Sequence, residues 1–162
     1  MKKRVYIETT IISYLAARPS RDLILASRQA ATEQWWQSQR TQCDLFMSEL
    51  VMREADQGDD EARQRRIAVM EGIPRLAATR ASEALAYRLL RAHALPSGAV
   101  DDAAHVAVAA AHGMDILLTW NCRHIANVMT APRIRDTIEA AGYKAPTITT
   151  PQGLLESLGE WP

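Results

Sequence analysis

Three acids and one amide, Glu8, Glu54, Asp102 and Asn121, occupy positions where oxygen ligands could be gathered. Glu8 directly follows the apolar run Val5-Tyr6-Ile7. Glu54 comes shortly after Asp44-Leu45-Phe46-Met47. Asp102 opens an alanine- and valine-rich segment, and Asn121 follows Ile116-Leu117-Leu118 through Thr119 and Trp120. Such a set suits hard divalent ions, Mg²⁺ or Mn²⁺, which take oxygen ligands and keep several waters. Carboxylates converging without a cation would repel by up to about 4 kcal/mol per pair at about 4 Å, at the effective dielectric of protein sites. A cation there would polarise a phosphoryl oxygen and lower the pKa of a bound water, which suits phosphodiester hydrolysis.

The elements that must position these residues are legible in the apolar pattern. Val5-Tyr6-Ile7 reads as a first central strand ending on Glu8. Thr9 or Thr10 is suited to cap the helix after it, which Pro19 stops. An amphipathic helix is predicted over 21–40, with one of the adjacent Trp35 and Trp36 turned inward. Residues 44–47 read as the second strand, with Ser48 capping a helix to about Ala55. A charged helix over 61–70 carries Arg63, Arg65 and Arg66, the densest basic cluster, expected to be a solvated face. Ile73 to Ala78 is a weak strand that Pro74 confines to a sheet edge or a strand start. A helix over 82–93 follows.

The central stretch, 100–127, reads as an acidic helix start, a buried helix, a tight turn at Gly113-Met114, and a buried strand over 116–118. A helix over 131–142 with Pro132 at its start, a strand over 147–149 and a helix over 151–158 complete the chain. Strands alternating with helices predict an α/β fold with a mostly parallel sheet covered on both faces. In such sheets, sites form beside the carboxyl ends of the strands. Asp102 and Asn121 could meet there.

The chain has 162 residues and reads as one domain over 1–162; 48% of its residues are apolar, enough to build a core. Lys and Arg balance Asp and Glu at 19 each, so no global field draws it to nucleic acid, and RNA binding would need a local basic patch. Cys43 and Cys122 lack metal-site or disulfide spacing. Cys122, close to Asn121, reads as a partly buried thiol rather than a nucleophile. No run suits a signal peptide or a membrane span, so a cytoplasmic protein is expected.

The segments VYIETTIISYL, SELVMREA and DAAHVAVAAAHGMDILLTWNCRHIAN, in this order and spacing, resemble the PIN-domain family, including its VapC-type toxin nucleases. The resemblance runs from the first strand to about Asn127. It implies a PIN-like three-layer α/β/α sandwich with a central parallel sheet. It also implies a Mg²⁺- or Mn²⁺-dependent endoribonuclease, the toxin of a toxin–antitoxin pair, in which a metal-activated water attacks the RNA phosphodiester. A homodimer and an antitoxin partner follow from the same resemblance. The family's acids fall on Glu8, Glu54 and Asp102 and its fourth position on Asn121, with Thr119 matching the small hydroxyl residue before it. Two positions depart from the family pattern. Glu8 stands where aspartate is usual, placing its carboxylate about 1.5 Å further out. Asn121 keeps an oxygen but gives up a charge. The two changes occur together with a TWN-x-x-H-I-x-N run, as in a subgroup of PIN-like proteins.

Each residue also has a plainer explanation. Asp101 is accounted for by the helix dipole, and Glu49 as a first-turn acid. Glu54 alone would pass for a solvated helix residue. Glu8 needs a partner, because it ends a buried strand. Thr9 and Thr119 are expected to orient ligands or substrate. His105, one turn beyond Asp101 and Asp102, either holds a carboxylate or is a satisfied core histidine. His124 is placed to approach the site or a phosphate, while His112 suits a helix C-terminus. Trp120 either stacks on a base or packs. The alternative function is a catalytically weak or inactive PIN-like module that binds nucleic acid or a protein. A phosphatase or receiver-like domain is disfavoured, since Glu8 stands where its nucleophilic aspartate would be and no Gly-rich phosphate loop is present.

Overall fold

The computed structural model describes residues 1–157. Five parallel strands form one sheet: β1 (Lys3–Ile7), β2 (Cys43–Ser48), β3 (Arg75–Leu76), β4 (Ile116–Leu118) and β5 (Thr147–Thr149), in the order β3-β2-β1-β4-β5. β1 lies at the centre, with Val5 opposite Leu45 on one side and Ile116 on the other. Val5, Tyr6, Ile7 and the whole of β4 are buried, as expected of parallel strands covered on both faces. The weak strand is a sheet edge, with Pro74 immediately before it. The Pro74 carbonyl accepts from Met47 N, a bond that needs no N–H from the proline.

Helices α1 (Thr9–Ala16), α2 (Leu23–Ser38), α3 (Glu49–Ala55) and α4 (Asp60–Met70) precede β3. Helices α5 (Arg80–Arg91), α6 (Val100–Ala111) and α7 (Ala131–Ala140) follow it, and α8 (Pro151–Glu156) comes after β5. α1 packs on α2, α3 and α4, and α2 on α8; α5 packs on α6 and α7. With right-handed crossovers, this chain order puts the first four helices on one face of the sheet and α5–α7 on the other. The direction of winding reverses between β1 and β4. That reversal opens a crevice at the carboxyl ends of those two strands. The fold is an α/β fold with a central parallel sheet between helical layers.

Local chemistry explains most element ends, with two departures from expectation. The cap of α1 is Glu8 itself, whose side chain accepts from Thr10 N, rather than Thr9 or Thr10. α5 begins earlier than its apolar pattern suggests, because Thr79 and Ser82 form a reciprocal capping box. Ser48 caps α3 as expected. Trp35 is fully buried and Trp36 half-buried. The α4 arginines do not stand free in solvent: Arg63 pairs with Asp56 and Asp60, Arg65 pairs with Glu61, and Arg66 donates to the carbonyls of Ala55 and Gln57. Leu158, expected at the end of α8, lies outside the described residues.

Candidate active site

The carboxyl ends of β1 and β4 carry the first half of the site. Glu8 N donates to Leu118 O and Thr119 N to Thr149 O, so the sheet ladder holds both residues just past their strands. Glu8 is 4% exposed, yet it is an acid. Its Oε2 accepts from Thr10 N (3.1 Å), Thr10 Oγ1 (2.5 Å) and Thr119 Oγ1 (2.7 Å). These three donors supply the partners that a buried carboxylate requires. Thr119 Oγ1 in turn accepts from Asn121 N at 2.9 Å. Thr10 Oγ1 also accepts from Trp120 N at 2.8 Å, so this hydroxyl joins the two strand ends.

Glu54, on α3, reaches the same place through two contacts. Its Oε1 accepts from Thr9 Oγ1 at 2.9 Å and from His105 Nε2 at 2.5 Å. His105, on α6, is fully buried, and its Nδ1 lies 2.7 Å from the Tyr6 hydroxyl, itself 2.7 Å from Ser48 Oγ. Burial pushes the Tyr6 hydroxyl far above its ordinary value, so it stays protonated. One consistent arrangement runs in a single direction: Ser48 donates to Tyr6, Tyr6 to His105, and His105 to Glu54. Burial by itself would push the Glu54 carboxyl up. The hydrogen bonds from His105 and from the Thr9 hydroxyl outweigh that effect and hold it below the ordinary glutamate value. His105 Nε2 also lies 3.9 Å from Glu8 Oε1, which links the two acids.

The second half of the site belongs to the start of α6 and the loop after β4. Asp102 Oδ2 lies 2.8 Å from His124 Nδ1, and Asn121 Oδ1 accepts from His124 N at 3.0 Å. Both members of the Asp102–His124 pair are partly open to solvent, whereas Asp101 is exposed. Contacts therefore run from Glu54 through His105, Glu8, Thr119, Asn121 and His124 to Asp102. The residues singled out in the sequence meet at one end of the sheet, except Asp101.

In donor type this set fits a hard divalent cation. Among the described residues, Glu8 Oε1, Glu54 Oε2 and Asp102 Oδ1 each remain without a hydrogen-bond partner. Their distances nevertheless divide them in two: Glu8 and Glu54 share His105, while Asp102 and Asn121 share His124. Among the described residues, no three His, Cys, Asp or Glu side chains are close enough to hold a metal ion.

Tyr6 and Thr10 were not among the residues singled out as part of the site. Tyr6 looks like any apolar strand residue, and no spacing rule ties it to His105, which lies 99 positions away. Cys122 is exposed rather than partly buried, while Cys43 is buried. Trp120 packs: its Nε1 donates to Thr32 Oγ1, Arg28 lies over its ring at 5.2 Å, and Tyr14 is tilted against it at 6.0 Å. His112 closes α6 and contacts the Ala77 carbonyl at 2.8 Å.

No protein-family model matches the sequence, and no curated protein is similar to it by sequence. Among solved structures, the fold matches that of VapC20 from Mycobacterium tuberculosis, described as a sarcin–ricin loop cleaving toxin. The TM-score is 0.56 at 16% identity, over 86% of this chain and 95% of that one. The class defined here is thus the α/β fold of a PIN-like VapC structure. Among the described residues, no helix is long and apolar enough to cross a membrane.

Proposed function

We propose that the chain is a Mg²⁺- or Mn²⁺-dependent endoribonuclease, the toxin of a toxin–antitoxin pair, built as a single PIN-like domain. The observation that carries this reading is the gathering of Glu8, Glu54, Asp102 and Asn121 at the β1/β4 end of a sheet shared with VapC20. A divalent ion held by these four residues, directly or through waters, would supply positive charge to the phosphoryl oxygens and lower the pKa of water. The chain's own residues do the positioning. Thr10 and Thr119 fix Glu8, His105 and Thr9 fix Glu54, and His124 fixes Asp102 and Asn121. A cytoplasmic homodimer, silenced by an antitoxin over the acidic end, belongs to the same reading.

The decisive experiment is cleavage of a mixed RNA pool with Mn²⁺ or Mg²⁺, comparing the wild type with Asp102→Asn. Metal-dependent cleavage by the wild type and its loss in the variant are expected. Equal cleavage by both proteins would sink the site assignment.

A second reading, a PIN-like module that binds without cutting, is favoured by one specific feature. His105 and His124 already give Glu54 and Asp102 hydrogen-bond partners, so the acids are not left to a cation alone. Absence of cleavage by the wild type with either metal would select it.

A further inference from the structure

With no net charge to draw RNA in, a nuclease of this composition needs a local basic surface. The α4 arginines do not provide it: Arg63 and Arg65 are paired with Asp56, Asp60 and Glu61, and the guanidinium of Arg66 is taken up by the carbonyls of Ala55 and Gln57. A groove of about 580 Å³ between α5 and α7 is different. It is lined by Arg88 and Arg91 from the last turn of α5 and by Arg133 from the first turn of α7, with Asp136 beside them. All three arginines are exposed, and among the described residues none has a carboxylate partner. Asp136 faces Arg135 at 3.8 Å instead.

Their placement is not explained by helix electrostatics alone. Arg88 and Arg91 suit the negative end of a helix, but Arg133 sits at the positive end of α7, where a cation is disfavoured. Arg133 is held there by a bond to the carbonyl of His93, at 3.2 Å. His93 has a φ of 52°, in the left-handed region that non-glycine residues rarely adopt. The turn after α5 thus ties the end of that helix to the start of α7.

Topology carries the groove to the active end of the molecule. The loop after α5 leads directly into the start of α6, where Asp102 lies, and α5 packs along α6. The loop after β4, which holds Asn121 and His124, leads directly into the start of α7. The α5 rim and the Arg133 end of the α7 rim therefore lie on the side of Asp102 and His124, while the rest of the α7 rim runs on to Ala140. We propose that Arg88, Arg91 and Arg133 bind successive phosphates of the RNA strand whose scissile bond lies at the acidic site. This rests on the nuclease reading.

The test measures binding of a short, fluorescein-labelled single-stranded RNA by anisotropy over a range of salt, with every protein in the Asp102→Asn background. Arg88→Ala/Arg91→Ala/Arg133→Ala should bind more weakly and lower the slope of log affinity against log salt by about 2, at about 0.7 per phosphate lost. Each single variant should lower it by about 0.7, which keeps the result readable if the triple variant folds poorly. Arg63→Ala/Lys144→Ala, which removes two already paired cations, should leave the slope unchanged. Equal slopes for the triple variant and this control would overturn the proposal, as would failure of the parent to bind RNA. So would intact RNA binding with lost capture of a polyglutamate peptide, which would assign the groove to an acidic protein. Cleavage by the protein with Asp102 intact, run alongside, separates the two readings. Cleavage with unchanged slopes sinks the groove alone, and a slope loss without cleavage sinks the nuclease alone.

Discussion

His124 Nδ1 lies 2.8 Å from Asp102 Oδ2, joining the loop after β4 to the first turn of α6 across 22 residues of sequence. A hydrogen bond to this oxygen competes with any cation that would use it. His124→Ala should therefore tighten Mn²⁺ binding about fivefold, the equivalent of one net hydrogen bond of about 1 kcal/mol. Isothermal titration with Mn²⁺ measures this. Weaker binding in the variant would mean instead that the orientation of Asp102 by His124 outweighs the competition.

Thr119 serves two neighbours through one hydroxyl, donating to Glu8 and accepting from Asn121 N. Thr119→Val keeps the shape and removes both bonds, leaving a buried carboxylate short of a donor. A loss of about 2 kcal/mol in urea unfolding is expected, with RNA cleavage reduced and Thr119→Ser restoring most of both. An unfolding midpoint equal to that of the wild type would show that the hydroxyl web does not hold the strand ends together.

Asp115 ties the start of β4 to β1 by accepting from Arg4 N at 2.9 Å, with Lys144 at 3.4 Å. The backbone bond from Arg4 and the nearby lysine hold its carboxyl below the ordinary aspartate value. A depressed folded pKa means that the carboxylate stabilises the fold above its unfolded pKa of about 3.9, and that this is lost as pH falls through the folded value. The stability gap between the wild type and Asp115→Asn should be full at neutral pH and close progressively below about pH 4. A gap independent of pH would contradict the assignment.

Cys122 is exposed, whereas burial and the neighbouring Asp44 push the Cys43 thiol up. Native protein treated with iodoacetamide at neutral pH should take up one alkyl group, located at Cys122 by peptide mass spectrometry. Cys122→Ser should cleave RNA as the wild type does. Loss of cleavage would return Cys122 to consideration as part of the chemistry.

Local chemistry wrote much of this structure into the sequence. The apolar runs at Val5-Tyr6-Ile7 and Ile116-Leu117-Leu118 announced two buried central strands, because only a strand covered on both faces tolerates so continuous a run. Ser48 announced the start of α3, and Pro74 an edge. The acids at strand ends were legible as well, since an acid closing a buried strand needs partners. What the tertiary structure alone decided is which partners those are. Glu8 is satisfied by Thr10 and Thr119, Glu54 by Thr9 and His105, and Asp102 by His124. The same holds for charge: Arg63 and Arg65 of the dense α4 cluster find carboxylates and Arg66 two backbone carbonyls, while the sparser Arg88, Arg91 and Arg133 find no carboxylate among the described residues. Periodicity and capping act over a few neighbouring residues and can be read along the chain. Pairing between groups 22 to 111 positions apart depends on how the crossovers close, which no local pattern encodes.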